Sequence, residues 1–316
     1  MFPSPRARLG SGVSKVILGG LAIVSTATLA ACGSSGGGNS NPLSGGSSKG
    51  SVVVGSANFP EDELLAQIYI QALQAKGVKV TPKLNIGSRE VYYPQVAKGA
   101  ITIMPEYNGA LLTTSVDTKS TAATTAEVDA ALKAKLPSSL EILNPSAAQD
   151  KDSVTVTQQT ARKDHLSSVA DLKAHAASLV MGGPPEFKTR EAGLVGLEQI
   201  YGLHFKNFSP LDESGPVTVK ALTSGTVQAA DVFTTTPQII TDHLVSLTDP
   251  KFVFAAQNVV PLVNKKGVNP AIVATLNAVS AKLTTASLLA MDKQIILGHA
   301  NYSTVATNWL KQAGLS

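Results

Sequence analysis

The chain has 316 residues and one cysteine, Cys32, so no disulfide within the chain can hold it together and stability must come from a packed core. Its five histidines, His165, His175, His204, His243 and His299, stand far apart. None forms an i, i+4 pair or the H-E-x-x-H pattern that ligates zinc, and they read as surface or linker residues. No G-x-x-x-x-G-K-[ST] run occurs, and the prolines of "VMGGPPEF" (180–187) remove backbone donors that a phosphate loop needs. A G-x-S-x-G nucleophile elbow is also missing. With no visible nucleophile, acid–base pair or metal motif, neither enzymatic activity nor a cofactor is expected. No Lys/Arg cluster or basic stripe interleaved with aromatics appears, which argues against a nucleic-acid partner. There is no tandem repeat.

What is present begins at the amino terminus. Arg6, Arg8 and Lys15 precede "VILGGLAIVSTATLAA" (16–31), an apolar run too short for a comfortable membrane span and closed by small residues. That is the plan of a signal peptide. The "LAAC" that ends at Cys32 resembles the lipobox of bacterial lipoproteins, in which the cysteine becomes the first mature residue and carries the lipid. On this reading 1–31 is a signal peptide, Cys32 is the membrane anchor, and 32–50, almost entirely Gly, Ser and Asn, is a flexible tether. An uncleaved signal anchor is the competing reading. The leader holds three basic residues and no acid, so its removal takes the formal charge from +4 to +1. The protein is then expected outside the cytoplasm, anchored to the cell membrane.

From residue 51 onward the pattern is that of α/β proteins. "SVVVG" (51–55) is a short β-branched run suited to the middle of a parallel sheet. A helix should follow, with Asn58 as its cap, Pro60 in the first turn, and Glu61, Asp62 and Glu63 where the helix dipole favours negative charge. Strands over "VKVTPKLN" and "AITIM", with a helix over about 88–97 between them, complete a βαβαβ opening. A second unit reads as helix "SVADLKAHAA", strand "SLVMGG", helices "REAGLVGLEQIYG" and "VTVKALTSG", and strand "AADVF". "SVTVTQ" and "NVVPLVN" read as extended crossings between two lobes. The expected fold is therefore α/β and two-lobed, each lobe a sheet flanked by helices, with lobe I at 51–153 and 258–316 and lobe II at 154–257.

Sheets of this kind bind ligands at the carboxyl ends of their strands. Aromatic and charged residues gather there: Asn58 with Phe59, Glu106 with Tyr107, Phe187 with Arg190, and Asp231 with Phe233.

At these residues the chain resembles the substrate-binding proteins of ABC importers for osmoprotectants, the glycine betaine, choline and quaternary-amine family. The likeness is carried by "VVVGSANFPEDELLAQIYIQAL", "LNIGSREVYYPQVAKG", "MPEYNG", "GGPPEFKTREAGLVGLEQIYGL" and "VKALTSGTVQAADVFTTTPQI", in the family's order and over nearly the whole of 51–315. The resemblance implies the type II periplasmic-binding-protein fold, hinge closure on a small solute, and delivery by a monomer to an ABC permease and its ATPase. It also implies an aromatic cage for a trimethylammonium head. Tyr107 and Phe233 match two of the family's walls, and Arg190 matches an arginine that meets a ligand carboxylate in relatives. Asp152 and Val219 stand where relatives often have tyrosine, and Ala57, Asn108 and Ala110 depart from the family's lysine and threonines. The expected ligand-binding set is Asn58, Tyr107, Asp152, Phe187, Arg190, Asp231 and Phe233. With about half the cage replaced, two ligand readings stay open: a quaternary amine, or a bulkier, less cationic solute such as a polyol or phenolic compound. A sensor lipoprotein without a transport role is the remaining alternative.

Overall fold

The computed structural model describes residues 51–316; the leader 1–31, Cys32 and the tether up to residue 50 lie outside the described residues. β1 (Val52–Gly55) lies inside a sheet, flanked by two parallel neighbours, β2 (Val80–Lys83) and β3 (Ile103–Tyr107). Pro82 can sit in β2 because β2 is an edge strand, where a missing N–H leaves no ladder bond unmade. β4 (Leu140–Ile142) forms the other edge of this sheet. The second sheet contains β5 (Val154–Thr157), β6 (Val180–Gly183), β7 (Asn207–Pro210), β8 (Ala229–Asp231) and β9 (Leu244–Ser246). β10 (Val259–Asn264) returns to the first sheet, between β3 and β4 and antiparallel to both.

The resulting strand orders are β2-β1-β3-β10-β4 and β7-β6-β8-β5-β9. They are the same topology built twice. In each sheet a central strand runs parallel to two neighbours, and one strand reached by crossing from the other lobe runs antiparallel to its own two. "SVTVTQ" and "NVVPLVN" are thus sheet strands, and the chain crosses just ahead of them, at 143–153 and 247–258. The crossings touch: Gln149 and Asn258 form an antiparallel bridge, and Asp150 N donates to Gln257 O at 3.1 Å.

Each lobe has its own core. In the first, Val54, Ile103, Met104 and Leu262 meet Leu64, Leu65, Ile68 and Leu73 of the helix Pro60–Ala75, joined by Leu276, Val305 and Leu310 from the closing helices. In the second, Val154, Val156, Met181, Leu197 and Ala229 form the centre. Each such side chain taken fully out of water contributes roughly 1.5–3 kcal/mol, so each sheet is held by its own apolar packing.

Several local expectations change. Phe59, not Asn58, is the cap residue of the first helix, and no side chain caps it. The Asp62 carboxylate instead accepts from Ala57 N at 2.5 Å and ties the loop from inside. "SVADLKAHAA" forms two short 3-10 turns, Val169–Ala174 and Ala176–Ser178, rather than one α-helix. The helix expected to begin near Arg190 starts at Leu194, because Arg190 to Gly193 form a turn folded against the preceding one. A Cβ on Gly193 would lie 2.4 Å from Phe187 O, so only glycine permits that approach. The turn leaves Arg190 free of any helix. His165, His243 and His299 have φ of 54, 52 and 51°, the left-handed region, and so serve as turn residues.

Candidate functional site

The carboxyl ends of β1 and β3 in one lobe and the segments after β6 and β8 in the other converge on one small cavity. Phe59, Arg89 and Tyr107 line it from the first side, and Arg190, Glu213 and Phe233 from the second, with Asp150, Asp152 and Gln257 on the crossings. Its volume is ≈ 20 Å³, about the space of one water. A solute can therefore enter only when the lobes part.

Three rings meet here. Phe59 lies 5.3 Å from Phe233, edge to face at 72°, and 6.0 Å from Tyr107 at 35°. Two of them are fixed from behind. Tyr107 sits at the last position of β3, and its hydroxyl donates to Glu61 Oε1 at 2.5 Å. Phe233 is held by its backbone, whose N–H donates to Ser214 Oγ at 2.8 Å; Ser214 in turn bonds Thr236 at 2.9 Å. Ser214 has φ of 53°, a costly conformation for a residue with a side chain, kept by these bonds. Asn108 is fully buried behind the site. Its Oδ1 accepts from Gly109 N and Asn258 N, and its Nδ2 donates to Asp129, so it staples β3 to β10 rather than facing a ligand. The approach is so close that a Cβ on Gly109 would lie 2.3 Å from Ala256 O.

Carboxyl groups dominate the surroundings. Glu61 Oε2 accepts from Thr235 Oγ1 at 2.6 Å, and Asp150 Oδ1 accepts from Thr235 N at 3.0 Å, so two acids of the first lobe hold one threonine that follows β8. Burial pushes Glu61, Asp150 and Asp292 above the usual carboxylate range, and mutual repulsion adds to the rise for Asp150 and Asp292. Neither oxygen of the buried Asp292 has a fixed hydrogen-bond donor, and its carboxyl faces that of Glu61. Asp231 is in the same position beside Asp152, both of its oxygens without donors, and burial pushes its carboxyl well above the usual range. Asp152 itself accepts from Gln257 Nε2 at 2.7 Å. Glu213 is raised to about 7 by burial, although Arg190 and Arg89 oppose the rise.

Two guanidinium groups balance part of this charge. Arg89 donates to Glu106 through Nε at 3.0 Å and 3.2 Å and through Nη2 at 3.0 Å, and Glu106, fully buried, also accepts from Tyr92 Oη at 2.8 Å and Tyr107 N at 3.0 Å. Arg190 donates across the lobes to Glu90, Nε to Oε1 at 3.0 Å and Nη2 to Oε2 at 2.9 Å.

Of the expected site residues, Tyr107, Asp152, Arg190 and Phe233 come together in the cleft. Three do not line it. Phe187 is in the core of the second lobe, stacked on Phe208 at 6.4 Å and against Phe254 at 6.2 Å, where it supports the Arg190 turn. Asp231 is buried behind Asp152. Asn58 is at the exposed rim, where its amide, turned so that the nitrogen faces the acceptors, would donate to Gly87 O and Glu213 Oε2, each at 3.2 Å. Val219 is buried in a separate apolar cluster. The expected set omitted Phe59, Arg89, Asp150, Glu213 and Gln257. Phe59 carried a signal, its place just after β1. The others carry none, because they sit on a helix start, a loop and the crossings, which come together only in three dimensions. Among the described residues, no group of three or more His, Cys, Asp or Glu is placed to hold a metal ion.

The model of the substrate binding domain of ABC-type glycine betaine transport systems matches residues 50–312. The chain belongs to this family. Its members are substrate-binding transport proteins that capture a solute for an ABC permease. The chain is 29% identical over 277 residues to the glycine betaine-binding protein YehZ of Escherichia coli (strain K12), covering 83% of this chain and 90% of that protein. It is 25% identical over 272 residues to a glycine-betaine-binding protein of Pseudomonas aeruginosa, covering 82% and 86%. The solved structure of a glycine betaine/carnitine/choline ABC transporter protein shares the fold, with a TM-score of 0.65 at 20% identity over 84% of this chain and 99% of that one. The two-lobed α/β architecture of type II periplasmic binding proteins is thus the fold of this family member.

Proposed function

We propose that this protein binds a quaternary ammonium solute between its lobes and hands it to an ABC permease with its ATPase, working as a monomer tethered to the outer face of the membrane by lipid on Cys32. The convergence of Phe59, Tyr107 and Phe233 carries the ligand reading. Ring faces attract a cation that has lost its water, each by about 0.5–2 kcal/mol. Phe59 makes up part of what the missing tyrosines take away. Charge supports the same reading, because each arginine of the cleft is paired with its own carboxylate, while Asp152 and Glu213 line the cavity outside those pairs. The moving bodies are 51–153 with 258–316, and 154–257.

Calorimetry with glycine betaine, choline, proline betaine and a panel of polyols and phenolic compounds tests the ligand class. At least one quaternary amine should bind with micromolar affinity or better; binding confined to polyols or phenolic compounds would overturn the proposal. For the anchor, Cys32→Ser in the full chain should release the protein from the membrane fraction, whereas retention in the membrane would argue for an uncleaved signal anchor.

A further inference from the structure

Both arginines of the cleft donate Nε and Nη2 to a protein carboxylate, and the two pairs differ in how easily they open. Arg89 and Glu106 are 8% and 0% exposed. Glu106 also holds Tyr92 and the backbone of Tyr107, so it cannot leave without stranding a buried guanidinium and two donors. Arg190 is 10% exposed, but its partner Glu90 is 46% exposed, at the start of the helix Arg89–Ala97 and across the cleft from it. Burial works against the ionised form of Glu90, yet Arg190 pulls its carboxyl down to about 2. The pair is therefore ionised and bidentate at any physiological pH.

A guanidinium fork accepts one carboxylate in this geometry. Nη1 stays outside the pair, so a ligand carrying its own carboxylate either displaces Glu90 into water and removes a bond that ties the lobes together, or meets Arg190 end-on beside the like charge of Glu90, on a cation already neutralised. A ligand whose only charge is the ammonium group leaves the pair intact. We infer that Glu90 is a specificity-determining residue, occupying the place of a ligand carboxylate and biasing the cleft toward quaternary ammonium alcohols over betaines. This inference rests on the quaternary-amine reading of the cleft.

The test is a set of calorimetric affinities for choline and glycine betaine in the wild-type protein, Glu90→Gln, Arg190→Gln and the double variant, with thermal melts to show that each is folded. Wild type should bind choline more tightly than glycine betaine. Glu90→Gln frees the fork and should shift the ratio toward glycine betaine by about tenfold or more, the worth of a charge-assisted hydrogen bond, with the shift lost in the double variant. If both ligands bind but wild type prefers glycine betaine, or the ratio is unchanged in Glu90→Gln, the inference is wrong while the quaternary-amine reading stands. If neither ligand, nor any other quaternary amine, binds the wild-type protein, the reading itself fails and takes the inference with it.

Discussion

Tyr107 and Glu61 are joined by a hydrogen bond of 2.5 Å, and the other oxygen of Glu61 accepts from Thr235 Oγ1 at 2.6 Å. One buried carboxyl of the first lobe thereby holds both a ring of its own lobe and a residue of the opposite one. Removing the ring and removing the hydroxyl should have separable effects. Tyr107→Ala deletes a wall of the cage and should weaken the binding of a quaternary amine by about 2- to 30-fold, the equivalent of 0.5–2 kcal/mol. Tyr107→Phe keeps the wall but leaves a Glu61 oxygen without its donor, and should cost about 1–3 kcal/mol of stability with a smaller change in affinity. Calorimetry reads the first and urea denaturation the second. Full affinity in Tyr107→Ala would remove the cleft as the binding site.

Phe59 and Phe233 come from different lobes and touch at 5.3 Å between ring centroids. A solute between them must first separate them, since the cavity is ≈ 20 Å³. Small-angle scattering should record a change in the radius of gyration as choline saturates the protein, and Phe59→Ala or Phe233→Ala should raise the concentration needed. An unchanged radius at saturation would count against hinge closure.

Glu213 predicts a pH dependence. Its folded-state value of about 7 lies above the ordinary 4.5 of the unfolded chain, so the native state binds the proton more tightly. The associated stability is complete below about 4.5 and is lost as the pH rises to about 7. Glu213→Gln should therefore flatten the stability profile in that window. Binding should respond in the opposite direction, because ionised Glu213 attracts a cation. Affinity for choline should rise between pH 6 and 8 in wild type and change less in Glu213→Gln. A parallel rise in both proteins would assign the effect to another group.

Arg89 and Glu106 form a pair in which the partners cannot be removed singly without penalty. Arg89→Met leaves the Glu106 carboxylate fully buried and should destabilise the fold by about 3–5 kcal/mol, whereas Arg89→Met combined with Glu106→Gln should recover part of the loss. Denaturant titration of the three proteins checks this. Equal stability of the single and double variants would mean that water reaches Glu106 when Arg89 is gone.

The α/β class was legible in the residues from 51 onward because it depends on local patterns: a β-branched run such as 52–54 reads as a buried strand, and Leu64, Leu65, Ile68 and Leu73 at helical spacing read as a buried helix face. Tyr107 and Phe233 were legible for the same reason, as aromatics at strand ends. Phe187, Asp231 and Arg190 looked equivalent in sequence, yet the first two were drawn into the second lobe and only Arg190 was left facing the cleft. That sorting is made by packing. Phe187 gains more from two neighbouring rings than from a solvated cleft, and Arg190 is released by a turn that depends on Gly193 fitting against Phe187 O. Glu90 facing Arg190, Glu61 reaching Thr235, and Asp152 beside Asp231 join residues 100, 174 and 79 positions apart. The sequence alone determined what each lobe is built from, because strand and helix periodicity act over a few residues. Only the tertiary structure decided which charges confront one another across the cleft, because a Coulombic or hydrogen-bonded pair depends on distance in space and on exclusion of water, and neither is written in the spacing of the residues along the chain.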